Sequence, residues 1–208
     1  LHLNMIDLHH KIGSWFERMG WQPRAHQLAM LQHGGVGESA LLIAPTGGGK
    51  TLAGFLATLN ELAVPHESEG IHTLYISPLK ALAVDIARNL EKPVMEMELP
   101  ITIETRTGDT PVSRRKRIRE HPPDILITTP EQVTLMIADP AAAYLFRNLQ
   151  CIIIDELHAL VTNKRGVLLS LALSRVQALA PHVRLVGLSA TVADPDVLCA
   201  WLAPTGTP

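Results

Sequence analysis

Short, continuously apolar segments alternate along the chain with longer amphipathic ones. Runs such as "DILITT" (124–129) and "CIIID" (151–155) are almost wholly hydrophobic, whereas "KTLAGFLATLNELA" (50–63) repeats its apolar residues at helical spacing. Buried strands followed by amphipathic helices are typical of a parallel sheet that is covered by helices on both faces. The pattern therefore predicts an α/β fold in a single domain.

The boundaries of the predicted elements follow from the same pattern. The predicted strands cover residues 40–45, 72–77, 101–106, 124–129, 151–155 and 183–188. The predicted helices cover residues 50–63, 79–92, 111–121, 130–139, about 166–179 and about 194–202. Ligands of such sheets bind beyond the carboxyl ends of the strands. We therefore expect functional residues directly after strands.

Composition and charge narrow the class of protein. The chain has 208 residues, of which 47% are hydrophobic, and a formal net charge of −2, so bulk charge does not indicate a nucleic-acid partner. Cys151 and Cys199 form no CxxC pair, which favours a reducing, cytoplasmic location. No apolar run is long enough for a membrane span, and no signal peptide is evident. Because the chain begins with Leu, we expect a fragment or an added leader.

A glycine-rich segment, "APTGGGKT" (44–51), lies between a predicted strand and a predicted helix, which is the context of a phosphate-binding loop. Glycines allow backbone N–H groups to converge on phosphate oxygens, and the helix N-terminus favours the same anion. The strict motif begins with Gly, where this chain has Ala44. A glycine-rich turn that opens a helix is the alternative. The predicted ATP-binding residues are Thr46, Gly47, Gly48, Gly49, Lys50 and Thr51.

Two adjacent carboxylates and a histidine follow the apolar run in "CIIIDELHAL" (151–160). Taken alone, they are equally well explained as the solvent-facing end of a core strand. Beside a phosphate-binding loop, Asp155 and the Thr51 hydroxyl would hold Mg²⁺, and Glu156 would orient or deprotonate the attacking water. Lys50, Asp155, Glu156 and His158 are therefore the predicted catalytic residues.

The combination "APTGGGKT … DELH … SAT" resembles the superfamily 2 helicases of the DExH-box class. The resemblance implies a RecA-like ATP-binding domain. It also implies that Ser189 and Thr191, in "LSAT" (188–191), couple hydrolysis to strand movement, and that His158 links the nucleotide site to that segment. A capping role is the alternative for each of these polar residues.

Three further segments look like the nucleic-acid-contact motifs of this family: "SPLKALAVD" (77–85), "TRTGDT" (105–110) and "TTPEQV" (128–133). Hydroxyl groups, a glycine N–H and a helix N-terminus suit phosphate oxygens and read no bases, so sequence-independent binding of one strand is expected. An ordinary turn and an ordinary helix start are the local alternatives. The residues at the matched positions are Pro78, Lys80, Arg106, Thr107, Gly108, Thr129, Pro130 and Glu131.

The segment "GWQPRAHQ" (20–27) looks like the adenine-contacting motif of the family, which would occupy about residues 12–33. Gln27 supplies an amide that could bind adenine bidentately. The nearby Trp15, Phe16 and Trp21 could stack on a base, but anchoring of an N-terminal helix on the core is the favoured interpretation.

A finer resemblance is to the large helicase-related (Lhr) family, carried by "RTGDTP", "DELHAL", "KRG" (164–166) and "GLSATV". "WFERMGW" and "ALVTNKRG" favour its ligase-associated branch. The resemblance covers about residues 12–204. It implies an ATP-driven, 3′-to-5′ DNA helicase tied to repair, which acts on single-stranded DNA or 3′-tailed duplex. The second RecA-like domain, with its arginine finger, is absent from residues 1–208, so we expect this chain alone to be nearly inactive.

Several alternatives stay open at this point. RNA could replace DNA, because backbone-directed motifs do not discriminate between them. Another P-loop ATPase, such as a transporter ATPase or a kinase, would leave "SPLKAL", "TPE" and "SAT" unexplained. An ATP- and DNA-binding module without turnover is the third alternative. For the basic run "SRRKRIRE" (113–120), and for Lys164 and Arg165, a solvated helix face is favoured over contact with nucleic acid.

Overall fold

The computed structural model describes residues 7–67 and 69–203, and a parallel sheet lies at its centre. The strands are β1 (Ala40–Ile43), β2 (Thr73–Ile76), β3 (Ile103–Arg106), β4 (Ile125–Thr128), β5 (Cys151–Ile154) and β6 (Arg184–Ser189). All observed pairings are parallel, in the order β1-β6-β5-β2-β4-β3. The predicted α/β class is confirmed. The predicted limits of the domain at residues 1 and 208 lie outside the described residues.

Helices cover both faces of this sheet, as predicted. They are α1 (His10–Arg18), α2 (Ala25–Gly35), α3 (Lys50–Glu61), α4 (Lys80–Glu96), α5 (Val112–Glu120), α6 (Pro130–Ile137), α7 (Ala142–Phe146), α8 (Leu157–Val161), α9 (Lys164–Leu179) and α10 (Pro195–Leu202). Helices α1 to α4 share one hydrophobic core and α5 to α10 share the other.

The strands supply alternate residues to the two cores because successive side chains of a strand point to opposite faces. In β5, Ile153 belongs to the core under α1 to α4, whereas Ile152 and Ile154 belong to the core under α5 to α10. Every residue of β2, β4, β5 and β6 is buried. Burial on both faces explains why these strands are continuously hydrophobic rather than alternating.

One predicted helix end is wrong. The pattern ends a helix at residue 92, before Pro93, but α4 continues to Glu96. The carbonyl of Pro93 still accepts a hydrogen bond from the Met97 N–H at 2.9 Å, and Val94 and Met97 pack in the core. This packing outweighs the hydrogen bond that a proline removes. Helix α2 was not predicted. The short helices α7 and α8 were not predicted either, because five residues are too few for a periodic pattern.

The N-terminal helix is anchored by aromatic side chains. Trp15 and Phe16 are buried in the core, and the Trp15 indole N–H donates to the Glu96 carboxylate at 2.8 Å. The anchoring interpretation is confirmed for these two residues, whereas Trp21 is 53% exposed. Within the described part of the chain, no helix has the length and apolar character needed to cross a lipid bilayer.

Candidate functional site

The phosphate-binding loop joins β1 to α3 at the carboxyl edge of the sheet. Gly47 and Gly49 have φ angles of 81° and 76°, a left-handed conformation that side chains disfavour. A Cβ atom at Gly49 would also lie 3.0 Å from the Gln27 Nε2 atom. The Lys50 ammonium is largely buried and donates to the Ala44 carbonyl at 2.8 Å, across the loop. The loop therefore has the backbone geometry and the cation that phosphate binding requires.

Asp155 lies at the end of β5, two strands away from the phosphate-binding loop. Its side chain is 6% exposed, and its Oδ1 atom accepts the Glu156 N–H at 2.9 Å. Burial raises the pKa of the Asp155 carboxyl, and the Glu156 charge adds to this, whereas the Tyr75 hydroxyl and the Lys50 ammonium oppose it. Lys50 and Asp155, both named from the sequence, are thus brought within electrostatic reach of each other.

Tyr75 is a residue of this site that the sequence did not reveal. It is fully buried in β2 and stacks on Phe55 of α3, with ring centroids 4.9 Å apart. Its hydroxyl lies beside Asp155 and Thr51 but meets neither at normal hydrogen-bond geometry. Burial, followed by the Asp155 charge, raises the pKa of Tyr75 well above its usual value. A tyrosine inside a hydrophobic strand gives no sequence signal that separates it from core residues.

Glu156 adopts a backbone conformation that is unusual for a residue with a side chain. Its φ of 48° and ψ of 42° are left-handed, and it precedes the first turn of α8. Such a conformation costs about 1–3 kcal/mol and is concentrated at functional sites. The carboxylate is half-buried, and its Oε2 atom lies 3.2 Å from His158 Nε2. The predicted catalytic acid and the motif histidine are therefore in direct contact.

His158 also contacts the segment that follows β6. Its Nδ1 atom accepts the Ala190 N–H at 3.3 Å and lies 3.1 Å from the Ser189 hydroxyl oxygen. Ser189 is fully buried and donates to the Ala190 carbonyl at 2.8 Å. Thr191 is exposed just beyond. The structure thus brings His158 and Ser189 together, as the resemblance implied, whereas Thr191 remains on the surface.

A cleft of about 450 Å³ adjoins the phosphate-binding loop. Phe16, Trp21 and Gln27 line it together with Gly47 and Gly49. The Gln27 amide is 5% exposed: its oxygen accepts the Arg24 N–H at 2.9 Å, and its nitrogen lies 3.5 Å from the Gly49 carbonyl. Each amide atom retains capacity for one more hydrogen bond. The adenine contact stays a prediction, and this cleft is where Gln27 would make it.

The strand order divides the carboxyl edge into two halves. The loop at 44–51 follows β1, Asp155 follows β5, and Ser189 is the last residue of β6; these three strands are neighbours. The three segments predicted to contact nucleic acid, 77–85, 128–133 and 105–110, lie at the carboxyl ends of β2, β4 and β3, which are also neighbours. The halves meet where β5 pairs with β2, with Ile76 opposite Ile154. The residues predicted to bind the nucleotide and those predicted to contact nucleic acid are thus side by side along one edge.

Two of these segments, "SPLKALAVD" (77–85) and "TRTGDT" (105–110), touch each other. The Lys80 ammonium lies 2.9 Å from the Asp109 carboxylate, and a Cβ atom at Gly108 would lie 3.3 Å from Lys80 Nζ. Thr107 is largely buried, and its N–H donates to the Thr110 hydroxyl at 2.8 Å. Lys80 and Gly108 are therefore exposed next to one another, an arrangement that is compatible with the predicted contact to one phosphate backbone.

The remaining predicted contact residues differ in exposure. The Arg106 side chain is largely buried against Gln132, with 3.3 Å between Nε and Oε1, and burial lowers its pKa. Thr129 and Pro130 are buried at the start of α6, and Pro78 is half-buried. Glu131 is exposed and pairs with Arg165. Contact with nucleic acid stays a prediction for all of them, and Arg106 faces the protein interior in this structure.

Much of the basic charge of α5 is engaged within the protein. Arg114 and Arg117 both pair with Glu104, and Arg115 donates to the Gly108 carbonyl at 2.7 Å. These pairs favour the interpretation of α5 as a solvated face. Arg115 additionally supports the loop that contains Gly108. A solvated position was also favoured for Arg165 from the sequence. In the structure Arg165 contacts Pro78 and Glu131, which belong to two of the predicted motifs, and no local sequence pattern indicates these contacts.

The donors near the phosphate-binding loop suit Mg²⁺, which prefers oxygen ligands and usually retains water and substrate phosphates. The Thr51 hydroxyl and the Asp155 carboxylate both lie beside the Tyr75 hydroxyl. Among the described residues, no group of three or more His, Cys, Asp or Glu side chains could hold a metal ion. The predicted Mg²⁺ site needs only the Thr51 hydroxyl and the Asp155 carboxylate from the protein, so it does not depend on a cluster of three such side chains.

Comparisons with known proteins show which family the chain belongs to. The profile of the family described as DEAD/DEAH box helicase matches residues 24–198. The "Lhr helicase/ probable uracil glycosylase" of Mycolicibacterium smegmatis is 44% identical over 81% of this chain and 12% of the relative. The "ATP-dependent helicase Lhr-Core" of Methanocaldococcus jannaschii is 40% identical over 94% of this chain and 25% of the relative.

A solved structure is similar over nearly the whole chain. It is that of Mycobacterium smegmatis helicase Lhr bound to ssDNA and AMP-PNP, with a TM-score of 0.89 and 39% identity. The match covers 97% of this chain and 27% of that protein. The chain thus spans about a quarter or less of the length of these relatives.

Proposed function

Because the chain belongs to the DEAD/DEAH box helicase family, we propose that it is the ATP-binding motor domain of a helicase that moves along single-stranded DNA. The observation that carries the proposal is the division of the carboxyl edge, with the phosphate-binding loop, Asp155 and Ser189 on one half and the three contact segments on the other. A motor must connect a hydrolysis site to a surface that binds the nucleic-acid strand, and the residues predicted for these two tasks share a sheet edge.

ATP would place its phosphates over the loop at 44–51, where the backbone N–H groups and Lys50 offset their charge. The Thr51 hydroxyl and the Asp155 carboxylate would hold Mg²⁺, which supplies charge neutralisation between the β- and γ-phosphates when bound. The adenine would enter the cleft beside Gln27. The half-buried Glu156 carboxylate would orient the attacking water or accept its proton.

His158 supplies the connection from hydrolysis to the following segment. It contacts Glu156 through Nε2 and the Ala190 N–H through Nδ1. A change in the position of Glu156 on loss of the γ-phosphate would therefore reach Ser189 and Ala190, the residues just before Thr191, through one side chain. This is the physical form of the coupling role that we assign to the "SAT" segment.

The single-stranded DNA would lie across the half of the sheet edge formed by β2, β4 and β3. The protein would contact it through its phosphates. Lys80 and Gly108 are exposed there, and the N-terminus of α6 follows Thr129. Such contacts are independent of base sequence. DNA is favoured over RNA by the relatives: the M. smegmatis Lhr structure contains ssDNA and AMP-PNP.

The wider proposals rest on family resemblance. They are 3′-to-5′ movement, a role in DNA repair, membership of the ligase-associated branch, and a second RecA-like domain that completes the site. Loss of an arginine finger costs roughly 10³- to 10⁵-fold in related phosphoryl-transfer systems, so residues 1–208 alone should turn over ATP very slowly. Two unpaired cysteines support a reducing, cytoplasmic location.

The testing experiment measures ATP turnover with Mg²⁺ for the natural full-length protein and for residues 1–208 side by side. Single-stranded DNA, single-stranded RNA or no nucleic acid is added to each. We expect DNA to stimulate the full-length protein and the 208-residue chain to show little turnover under all three conditions.

Other outcomes would change the proposal in defined ways. Stimulation by RNA alone would assign the protein to the RNA helicases. Turnover that is indifferent to both nucleic acids would indicate an ATPase of another kind, and the motor function would then be wrong. Rapid turnover of the 208-residue chain would contradict the requirement for a second domain.

A further inference from the structure

Arg165 joins two loops of the half of the sheet edge predicted to contact nucleic acid. Its Nε atom donates to Glu131 Oε1 at 2.6 Å, and its Nη2 atom lies 3.2 Å from Glu131 Oε2. The same Nη2 atom donates to the Pro78 carbonyl at 2.7 Å. Pro78 follows β2 and Glu131 follows β4. One guanidinium group therefore fixes two of the three contact segments relative to each other.

The position of Arg165 in α9 is itself fixed by contacts with α8, the helix that follows the predicted catalytic acid Glu156. Arg165 is the second residue of α9, whose N-cap, Asn163, accepts the Arg165 N–H at 2.9 Å and donates to the Ala159 carbonyl of α8. A Cβ atom at Gly166 would lie 1.9 Å from the Leu160 carbonyl oxygen, so only glycine allows this approach of α9 to α8. The start of α9 is consequently held tightly against α8.

These contacts form a continuous path across the sheet edge. Helix α8 begins directly after Glu156, which contacts His158. From α8 the path runs through Asn163 to Arg165, and from there to Glu131 and Pro78. Packed elements of this kind transmit displacement because interiors are close-packed and resist compression. A movement of α8 would thus displace the loop after β2, which contains Pro78, and the loop after β4, which contains Glu131.

The ion pair between Arg165 and Glu131 also changes the charge that the protein presents to a bound DNA strand. Among the causes that lower the pKa of Glu131, the hydrogen bond from Arg165 is the largest. An unpaired carboxylate at the start of α6 would repel a phosphate group. Because Arg165 neutralises it locally, the helix N-terminus remains able to attract one.

We propose that Arg165 is a positioning residue that couples the hydrolysis site to the strand-contacting loops after β2 and β4. The inference rests on the proposed motor function and adds to it the residue through which the two halves communicate. A simple surface ion pair is the competing explanation, because exposed pairs contribute little. The bidentate geometry and the additional backbone acceptor argue against it, since a guanidinium in this arrangement specifies position as well as charge.

The test uses the natural full-length protein and measures ATP turnover against single-stranded DNA concentration. The variants are Arg165→Ala, Arg165→Lys and the matched control Lys164→Ala, which removes a neighbouring exposed positive charge. Two quantities are read: the factor by which saturating DNA stimulates turnover, and the DNA concentration at half-maximal stimulation. Thermal unfolding of each variant verifies that it is folded.

We expect Arg165→Ala to reduce the stimulation factor roughly 2- to 30-fold, the range that coupling residues show. Arg165→Lys keeps the positive charge but lacks the planar guanidinium group that makes two parallel hydrogen bonds. Its factor of stimulation by DNA should therefore lie between those of Arg165→Ala and the parent. Lys164→Ala should keep the parent value. If Arg165→Ala does not fold, the lysine variant carries the test, and full stimulation in it would contradict the inference.

A double-variant cycle separates positioning from general stabilisation. If Arg165 acts through Glu131, then Arg165→Ala should have little further effect on stimulation in a protein that already carries Glu131→Gln. Additive losses would contradict the inference, as would equal losses in Lys164→Ala and Arg165→Ala. An Arg165→Ala protein stimulated like the parent would overturn the inference alone. A parent that no nucleic acid stimulates would overturn the proposed function, and the inference with it.

Discussion

The Nε2 atom of His158 lies 3.2 Å from the Oε2 atom of Glu156, and the opposite ring nitrogen faces the backbone after β6. Because the Ala190 N–H can only donate, Nδ1 must accept, which places the ring proton on Nε2, where it donates to the Glu156 carboxylate. The histidine therefore fixes the rotamer of the predicted catalytic acid. It also connects that acid to the adjacent strand end.

Glu156→Gln should bind Mg·ATP with the affinity of the parent but hydrolyse it about 10²- to 10⁴-fold more slowly, because an amide cannot accept the proton of the attacking water. Single-turnover hydrolysis and equilibrium binding of a fluorescent ATP analogue measure the two effects separately. Glu91→Gln, an exposed change on α4, is the control and should leave both values unchanged. Hydrolysis at the parent rate would exclude Glu156 as the base.

Lys50→Ala should weaken ATP binding about 10- to 100-fold, the scale of one charge-assisted hydrogen bond of 1.5–3 kcal/mol. The ammonium is buried and directed across the loop to the Ala44 carbonyl, so its removal takes a positive charge from that point of the loop. Isothermal titration with Mg·ATP measures the loss. Lys92→Ala, on the exposed side of α4, is the control. Unchanged affinity in Lys50→Ala would contradict the phosphate-binding assignment.

Gln27→Ala should reduce the affinity for ATP roughly 3- to 10-fold, as expected for one or two neutral hydrogen bonds, and should reduce the preference for ATP over GTP. The amide lies at the cleft that adjoins the phosphate-binding loop. Competition binding with both nucleotides gives the ratio. Gln22→Ala changes an exposed amide that lines the same cleft, and it should leave the ratio unaltered. A ratio that stays constant in Gln27→Ala would show that adenine is read elsewhere.

Gly34→Ala should destabilise the protein by about 1–3 kcal/mol, because a Cβ atom there would lie 2.4 Å from the Ala57 Cβ atom, where α2 packs on α3. Neither atom belongs to a flexible side-chain end, so the helices must separate. Urea denaturation measures the free energy of unfolding. Gly13→Ala, with nothing within 4 Å of its Cβ position, should instead stabilise α1 by up to about 1 kcal/mol. Equal effects in both variants would contradict this packing argument.

The stability of the protein should decrease as the pH rises above about 6.5, through His66. Burial lowers the pKa of His66, but the Val64 carbonyl and the Asp124 carboxylate, 2.9 Å away, outweigh this and raise it. A raised folded-state pKa gives a stabilising contribution that is complete below the unfolded value and is lost as pH rises through the folded value. The slope is at most about 1.4 kcal/mol per pH unit.

The control for this pH dependence is His182→Gln, because His182 is exposed. Urea denaturation of the parent between pH 5.5 and 8 in roughly half-unit steps covers the window around the ordinary histidine pKa. His66→Gln should flatten the decrease in that window, whereas His182→Gln should keep it. An unaltered slope in His66→Gln would assign the effect to another group.

The elements of the fold were largely predictable because their patterns are local. A strand buried on both faces must be continuously apolar, and β5 and β2 meet this condition at every residue. The end of α4 was not predictable, since the packing of Val94 and Met97 decides whether the helix passes Pro93. Helix α8 was missed for a similar reason: the core contacts of Leu157 and Leu160 specify it, rather than a repeat.

The sequence by itself determined the α/β class, the glycine-rich loop between β1 and α3, and the acids after β5, because each requires particular residue types at fixed short spacing. Only the tertiary structure decided the order of the strands, and with it the two halves of the carboxyl edge. It also decided that Arg106 faces inward, that Tyr75 lies beside Asp155, and that Arg165 reaches Glu131 and Pro78. These contacts join residues far apart in the chain, so crossover connections and core packing set them, and no local spacing records them.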